Sequence, residues 1–276
     1  MSRALSVIEE GRIYFFYRPR VAVEHPHSVD DIQRFYIIMS PVSRPKAPHR
    51  LLVVGKKRLP EKHERFIGFV EAAADHMDEL TAGLGVKEYD TATRGHRVTP
   101  AARIAGGGVY DIAAHHGGSS TLLAYKLEAP EQPGEVQEEL GIKQEATYVM
   151  HVKNPIIPNP PGAGLPPTSK ARYSLRQMAE FDGYRWIPVR DPSLLDVPHA
   201  EFLLILARAG PRDVEAKLGE IAVHLEQAAR DDVEHFKHEH PGEVDRHTLL
   251  IEKLKAEIEA DQPFIPIEPA VEGKWE

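Results

Sequence analysis

The residues best placed to do chemistry are a set of basic side chains in the first third of the chain. Arg18, Arg20, Lys57, Arg94, Arg97 and Arg103, with Lys56 and Arg58 beside them, all fall at or just beyond the ends of expected strands. Loops at strand ends carry side chains to a common rim. Arginine offers a planar fork suited to phosphate or carboxylate, so a converging set would hold an anion. The competing reading is a solvated charged face, or pairing with Asp30, Asp31, Glu88 and Asp90. The neighbouring aromatics Tyr14, Phe16, Tyr17 and Tyr36 could stack on bases, but core packing accounts for them at less cost.

Histidine is the second resource, at 15 residues. Asp231, His235 and His238 recur at i, i+4 and i+7 on one expected helix, with His224 three turns earlier. Imidazole and carboxylate at such spacing can ligate zinc or nickel. The stretch from Glu234 to His240 is strongly polar, however, and lacks an apolar shell to fix ligand rotamers. No metal is therefore assigned, and Asp231, His235 and His238 stand as the candidates. His115-His116 beside Gly117-Gly118 reads as a turn. Gly106-Gly107-Gly108 precedes an expected strand instead of opening a helix, so it reads as a hinge or turn between two units and not as a phosphate loop. Ser119-Ser120 has no base placed beside it.

These residues need elements to position them. Continuous apolar runs at Ile13–Tyr17, Phe35–Met39 and Leu51–Val54 are expected strands of a sheet interior. Phe66, Phe69, Val70, Ala73 and Met77 recur at three- and four-residue spacing, which predicts a helix over 61–82. A strand is expected at Tyr89–Arg94. The same order then recurs: strands at Gly108–Ala113, Thr121–Leu127 and Tyr148–Lys153, helical turns at Glu135–Leu140 and about 168–181, and a strand at Tyr184–Arg190. Glu201–Ala207 is one more strand. From Pro211, Val214, Leu218, Ile221, Leu225 and Ala228 follow at alternating spacings of four and three, a heptad seam on a long helix. Pro241-Gly242 interrupt it before a second amphipathic helix carrying Val244, Leu250, Ile251, Leu254 and Ile258.

The expected fold class is thus α+β. A duplicated strand-strand-strand-helix-strand unit, about 11–95 and 108–191, forms a mixed sheet or partly closed barrel within residues 1–209. An acidic αα-hairpin follows over 210–262, and an extended tail over 263–276.

The 276-residue chain has no cysteine, which excludes disulfides, thiolate metal sites and a thiol nucleophile. Its apolar runs are too short to cross a bilayer. Glu9, Glu10 and Arg12 break the apolar start, so no secretory signal is expected and the location expected is cytoplasmic. The net charge of −8 is unevenly spread: residues 1–103 carry +4, 104–210 carry −3 and 211–276 carry −9. The basic start and the acidic helices suggest an electrostatic contact between them.

Several segments act together as a signature: Tyr17-Arg18-Pro19-Arg20-Val21, Val54-Gly55-Lys56-Lys57-Arg58-Leu59-Pro60, Tyr89-Asp90-Thr91-Ala92-Thr93-Arg94-Gly95 and Val152-Lys153-Asn154-Pro155. In this order they resemble a conserved family of bacterial, fungal and plant proteins whose function is uncharacterised. The resemblance covers about residues 11–206 and makes the helices after 210 an addition to the common domain. It implies no activity, cofactor or substrate. Two departures stand out. Val98 follows Arg97 where the family tends to have histidine, and Ser120-Thr121-Leu122-Leu123 stands where it tends to read His-Thr-His-Leu.

The functional expectation is a non-enzymatic binding or assembly protein. It would self-associate or meet a partner through the helical hairpin, with Val214, Leu218, Ile221 and Leu225 at the interface. The alternative is an enzyme or sensor that takes a phosphorylated or other anionic small molecule at the basic rim. No cofactor is assigned, and neither nucleic acid nor membrane is expected as a partner.

Overall fold

The computed structural model describes residues 5–93, 95–115, 120–160, 162–207, 214–239, 246–258 and 265–275. Long strands open the chain: β1 (Leu5–Pro19), β2 (Ile32–Pro41), β3 (His49–Val54) and β4 (Arg65–Ala74). They pair in sequence as an antiparallel meander. After a short helix α1 (Met77–Thr81), β5 (Lys87–Thr91) and β6 (Gly95–Thr99) form a separate two-stranded hairpin. A second meander follows with β7 (Arg103–His115), β8 (Thr121–Ala129), α2 (Glu135–Glu139), β9 (Glu145–Lys153), α3 (Leu175–Glu180), β10 (Trp186–Pro188) and β11 (Glu201–Leu206). Strand β9 pairs with β8 through its first half and with β10 through its last three residues. Strand β1 pairs with β7, and β4 pairs with β11. Since β9 also pairs with β11, eight strands close on themselves as an antiparallel barrel. Helices α4 (Val214–Glu239), α5 (Arg246–Glu257) and α6 (Glu268–Glu272) complete the chain. No helix of the described residues is long and apolar enough to cross a membrane.

The barrel interior is filled. Ile13, Phe15 and Tyr17 from β1 meet Ile37, Tyr110, Ile112, Tyr125, Tyr148 and Met150 from the other strands. Leu59, Val136, Leu140 and Ile142 close one end of this core, and Phe181, Leu194 and Leu195 close the other. An eight-stranded barrel is just wide enough for side chains to fill it, and here these side chains pack as a core. The alternate residues of β1, Tyr14 and Phe16, point outward and are buried beneath Leu254, Ile258, Ile265 and Ala270 of the C-terminal segment. Burial on both faces is why these strands read as unbroken apolar runs.

The structure revises several expectations. Residues 65–74 are strand β4, not helix: Phe66, Gly68 and Val70 alternate into the core, while Ile67 and Phe69 take the other face. Apolar residues at both parities mimic a helical stripe over so short a run. The first four strands therefore run in a row, and in place of the expected mixed sheet or partly closed barrel the sheet is antiparallel and closes fully. The strand expected at Tyr89–Arg94 is half of the β5–β6 hairpin, outside the barrel. The glycine run 106–108 lies within β7, not at a hinge. A Cβ on Gly107 would sit 2.7 Å from a Leu254 methyl, and one on Gly108 would sit 2.0 Å from the Lys126 carbonyl oxygen. The tail is not simply extended, because α6 docks with Ala270 fully buried. The link between α4 and α5 lies outside the described residues.

Candidate functional site

Charged groups of β1 and β7 define the site. A bulge in β1 between Val7 and Glu9 shifts the register, after which Glu10 stands directly opposite Asp111. Tyr110 and Ile112 point into the barrel, so Asp111 points out. Helix α4 lies across this outer face, with Ile221, Leu225 and Ala229 packed on Val109, Ala113, Leu122 and Ala124. That packing brings His224 over the two carboxylates. Its Nδ1 is 2.8 Å from Asp111 Oδ2 and its Nε2 is 3.4 Å from Glu10 Oε2. The ligand-capable atoms of Glu10, Asp111 and His224 lie within 4.8 Å of one another.

Asp111 is fully buried, and its Oδ1 has no hydrogen-bond partner. Buried carboxylate oxygens are normally satisfied, so this oxygen calls for a partner such as a water or an ion. Burial pushes the Asp111 carboxyl up to about 6; His224 opposes that rise and Glu10 adds to it. Beside the cluster opens a cleft of about 610 Å³, walled by Glu10, Arg12, Val109, His224, Asp231 and His235. Two carboxylates and an imidazole make a mixed O/N donor set suited to a divalent first-row metal.

Glu9, one residue before Glu10, does a different job. It is fully buried on the inner side, where Oε1 accepts from Arg50 Nη1 at 2.6 Å and from the Tyr110 hydroxyl at 2.8 Å. Its Oε2 accepts from Arg44 at 2.7 Å and from Arg50 Nη2 at 2.8 Å. Asp196 closes the network from the far side, taking 2.8 Å bonds from both arginines. Burial alone would raise the Glu9 carboxyl, but the two arginines and Tyr110 bring it below its ordinary range. Every group has partners, which describes a structural fastening.

Three members of the basic rim are engaged by backbone carbonyls. Arg18 is 3% exposed and donates to the carbonyls of Gly83, Gly85 and Pro100 at 2.8–3.0 Å. Arg103 donates to the Glu24 carbonyl and Lys57 to the Ile32 carbonyl. These three guanidinium and ammonium groups are engaged in holding loops at one barrel end. Arg20 is exposed, Arg97 sits half-buried on the β5–β6 hairpin, and Arg94 lies outside the described residues. Clefts of about 610, 540 and 430 Å³ are lined by none of the six. Among the described residues, no ion pair joins the C-terminal helices to this rim. Their ion pairs run to the barrel wall, with Glu257 meeting Arg12 at 2.9 Å and buried Lys253 meeting Glu128 at 2.7 Å.

Of the metal candidates read from the helix, Asp231 and His235 line the large cleft, while His238 is exposed and is not among its walls. The seam residues Ile221 and Leu225 are each 4% exposed and covered by this chain's own barrel. The side chains of Val214 and Leu218 lie outside the description. Ser40 Oγ and His49 Nδ1, 2.8 Å apart, form a hydroxyl–imidazole pair that no sequence spacing announced, and it lines none of the three clefts.

Sequence reasoning missed Glu10 and Asp111. The signal available was Asp111 itself, a charge in the middle of the apolar strand Gly108–Ala113. Comparison with protein-family profiles, with curated proteins and with solved structures finds no match to this chain.

Proposed function

We propose that this chain is a binding protein whose ligand is a divalent first-row metal ion held between the barrel wall and α4. The observation that carries this reading is the buried Asp111, directly opposite Glu10 and beneath His224, with one carboxylate oxygen left without a partner. Asp111 Oδ2 accepts a hydrogen bond from the Nδ1–H of His224, which fixes the tautomer and turns Nε2 toward Glu10. The 3.4 Å between that nitrogen and Glu10 Oε2 suits two ligands sharing one ion at bond lengths of about 2.0–2.2 Å. The cleft beyond leaves room for water or a further ligand, and Asp231 and His235 line it. Two like charges facing each other across a ladder destabilise the fold by themselves, and a bound cation relieves that cost.

Calorimetric titration of the full chain with zinc and with manganese tests the proposal. Binding is expected at one site per chain, lost in Glu10→Gln and His224→Ala. Asp111→Asn should weaken it by roughly 10- to 100-fold, the range for partners that orient a ligating histidine. Equal affinity in wild type and all three variants overturns it.

A further inference from the structure

A second cleft, of about 430 Å³, opens beside the end of β9, away from the metal cluster. Its floor is Lys153, the last residue of β9, and Glu201, the first of β11. Both are buried, and Lys153 Nζ lies 3.0 Å from Glu201 Oε2. The other oxygen of Glu201 accepts from Asn159 Nδ2 at 2.7 Å and from the Leu165 amide at 2.8 Å. Glu201 therefore ties Asn159 and Leu165 of the following loop down onto the barrel, and both of its oxygens are engaged. Gly164, at φ +66°, allows this contact, because a Cβ there would meet Glu201 Oε1 at 2.0 Å.

Lys153 differs from its partner. An ammonium has three donors, and Glu201 is the described acceptor for one. The walls are rich in groups that cannot accept or donate through side chains: Pro155, Pro158, Leu165, Pro166 and Ala171. Lys170 and His199 stand at the cleft as well and keep its ionisable lining basic apart from the engaged Glu201. A largely apolar pocket with a few fixed polar groups is the usual form of a small-molecule site.

We propose that this cleft binds a small carboxylate carried on an apolar body, with Lys153 donating to the carboxylate. The ligand's anionic end lies at the floor and its apolar part against the proline walls. This site is independent of the metal site and shares no residue with it.

Saturation-transfer NMR on the full chain in EDTA tests it, with benzoate as the probe and benzamide as its neutral counterpart. EDTA removes any contribution from a cation at Glu10 and His224. Benzoate should bind in the range of about 1 mM expected of a fragment, roughly tenfold more tightly than benzamide. Its signal should disappear in Lys153→Met/Glu201→Gln, which removes both charges together, and in Ala163→Trp, which fills the cleft and leaves the charges in place. Circular dichroism and Tm establish that each variant is folded. If the charge variant does not fold, Ala163→Trp decides alone. Absence of a benzoate signal, equal signals from the two probes, or a benzoate signal that survives Ala163→Trp overturns the proposal.

Discussion

Glu10 and Asp111 face each other across the β1–β7 ladder on the outer wall of the barrel, two carboxylates in direct register. Asp111 is fully buried under α4, so it cannot shed its charge into water. Two like charges in direct opposition cost stability unless a proton or a cation offsets them.

Asp111→Asn tests that cost. The carboxyl stands at about 6 instead of its ordinary 3.8, so the folded state binds the proton more tightly than the unfolded chain. Its contribution is favourable at low pH and is withdrawn as pH rises from about 4 through 6, by about 3 kcal/mol at full deprotonation. Asparagine mimics the protonated form. Without metal, the variant should match wild type at pH 3, below both values, and melt several degrees higher at pH 8, since 1 kcal/mol moves Tm by roughly 2–4 °C in a chain of this size. A variant less stable than wild type at pH 8 contradicts the account.

Glu9→Gln tests the opposite case. Glu9 is held below its ordinary range, so its stabilisation is present above that range and is lost as pH falls through the folded value. Removing its charge leaves Arg50 buried with Asp196 alone. The expected loss is about 3–5 kcal/mol, the cost of breaking a buried pair. Chemical denaturation at pH 7 measures it, and a loss below about 1 kcal/mol would remove the network from the account of stability.

Gly134→Ala probes the docking of the C-terminal segment. An added Cβ would meet the Gly273 carbonyl oxygen at 2.4 Å, a backbone contact that cannot turn aside. Gly134 has an ordinary φ of −106°, so the penalty is steric alone. A loss of about 1–3 kcal/mol is expected, the range for overpacking. It should come with faster amide exchange at Val136, which donates to the Gly273 carbonyl. Unchanged exchange contradicts the docking.

Leu225→Ala separates packing within the chain from association between chains. Leu225 is covered by Val109, Ala113, Leu122 and Ala124 of the same chain. Truncation should lower Tm by several degrees and leave the sedimentation coefficient unchanged. A change in oligomeric state with no change in Tm would return the seam to an interface.

Much of the fold was legible because the barrel strands are buried on both faces. Ile13–Tyr17 and Leu51–Val54 could hardly be anything else. Strand β4 was not legible, since Phe66, Phe69 and Val70 fit a helical stripe as well as a pleat, and only pairing with β3 and β11 decides between them. The glycines at 106–108 read as a hinge because close approach by Leu254 and Lys126 is a long-range fact. Arg18 and Arg103 lie at strand ends and Lys57 just beyond one, while Arg97 is mid-strand in β6, and spacing cannot say that Arg18 turns toward three carbonyls. The metal cluster joins residues 101 and 113 positions apart, beyond any local pattern. Its traces in the sequence were Asp111, a charge within an apolar strand, and His224, on the same expected helix as Asp231 and His235.

Zinc titration of the metal-free full chain followed by calorimetry, with His224→Ala beside it, reaches the central claim most directly. The account predicts one site per chain in the wild type, tighter at pH 7.5 than at pH 5.5 because metal and proton compete for the same groups, and no binding in His224→Ala. Identical isotherms for the two proteins would contradict it.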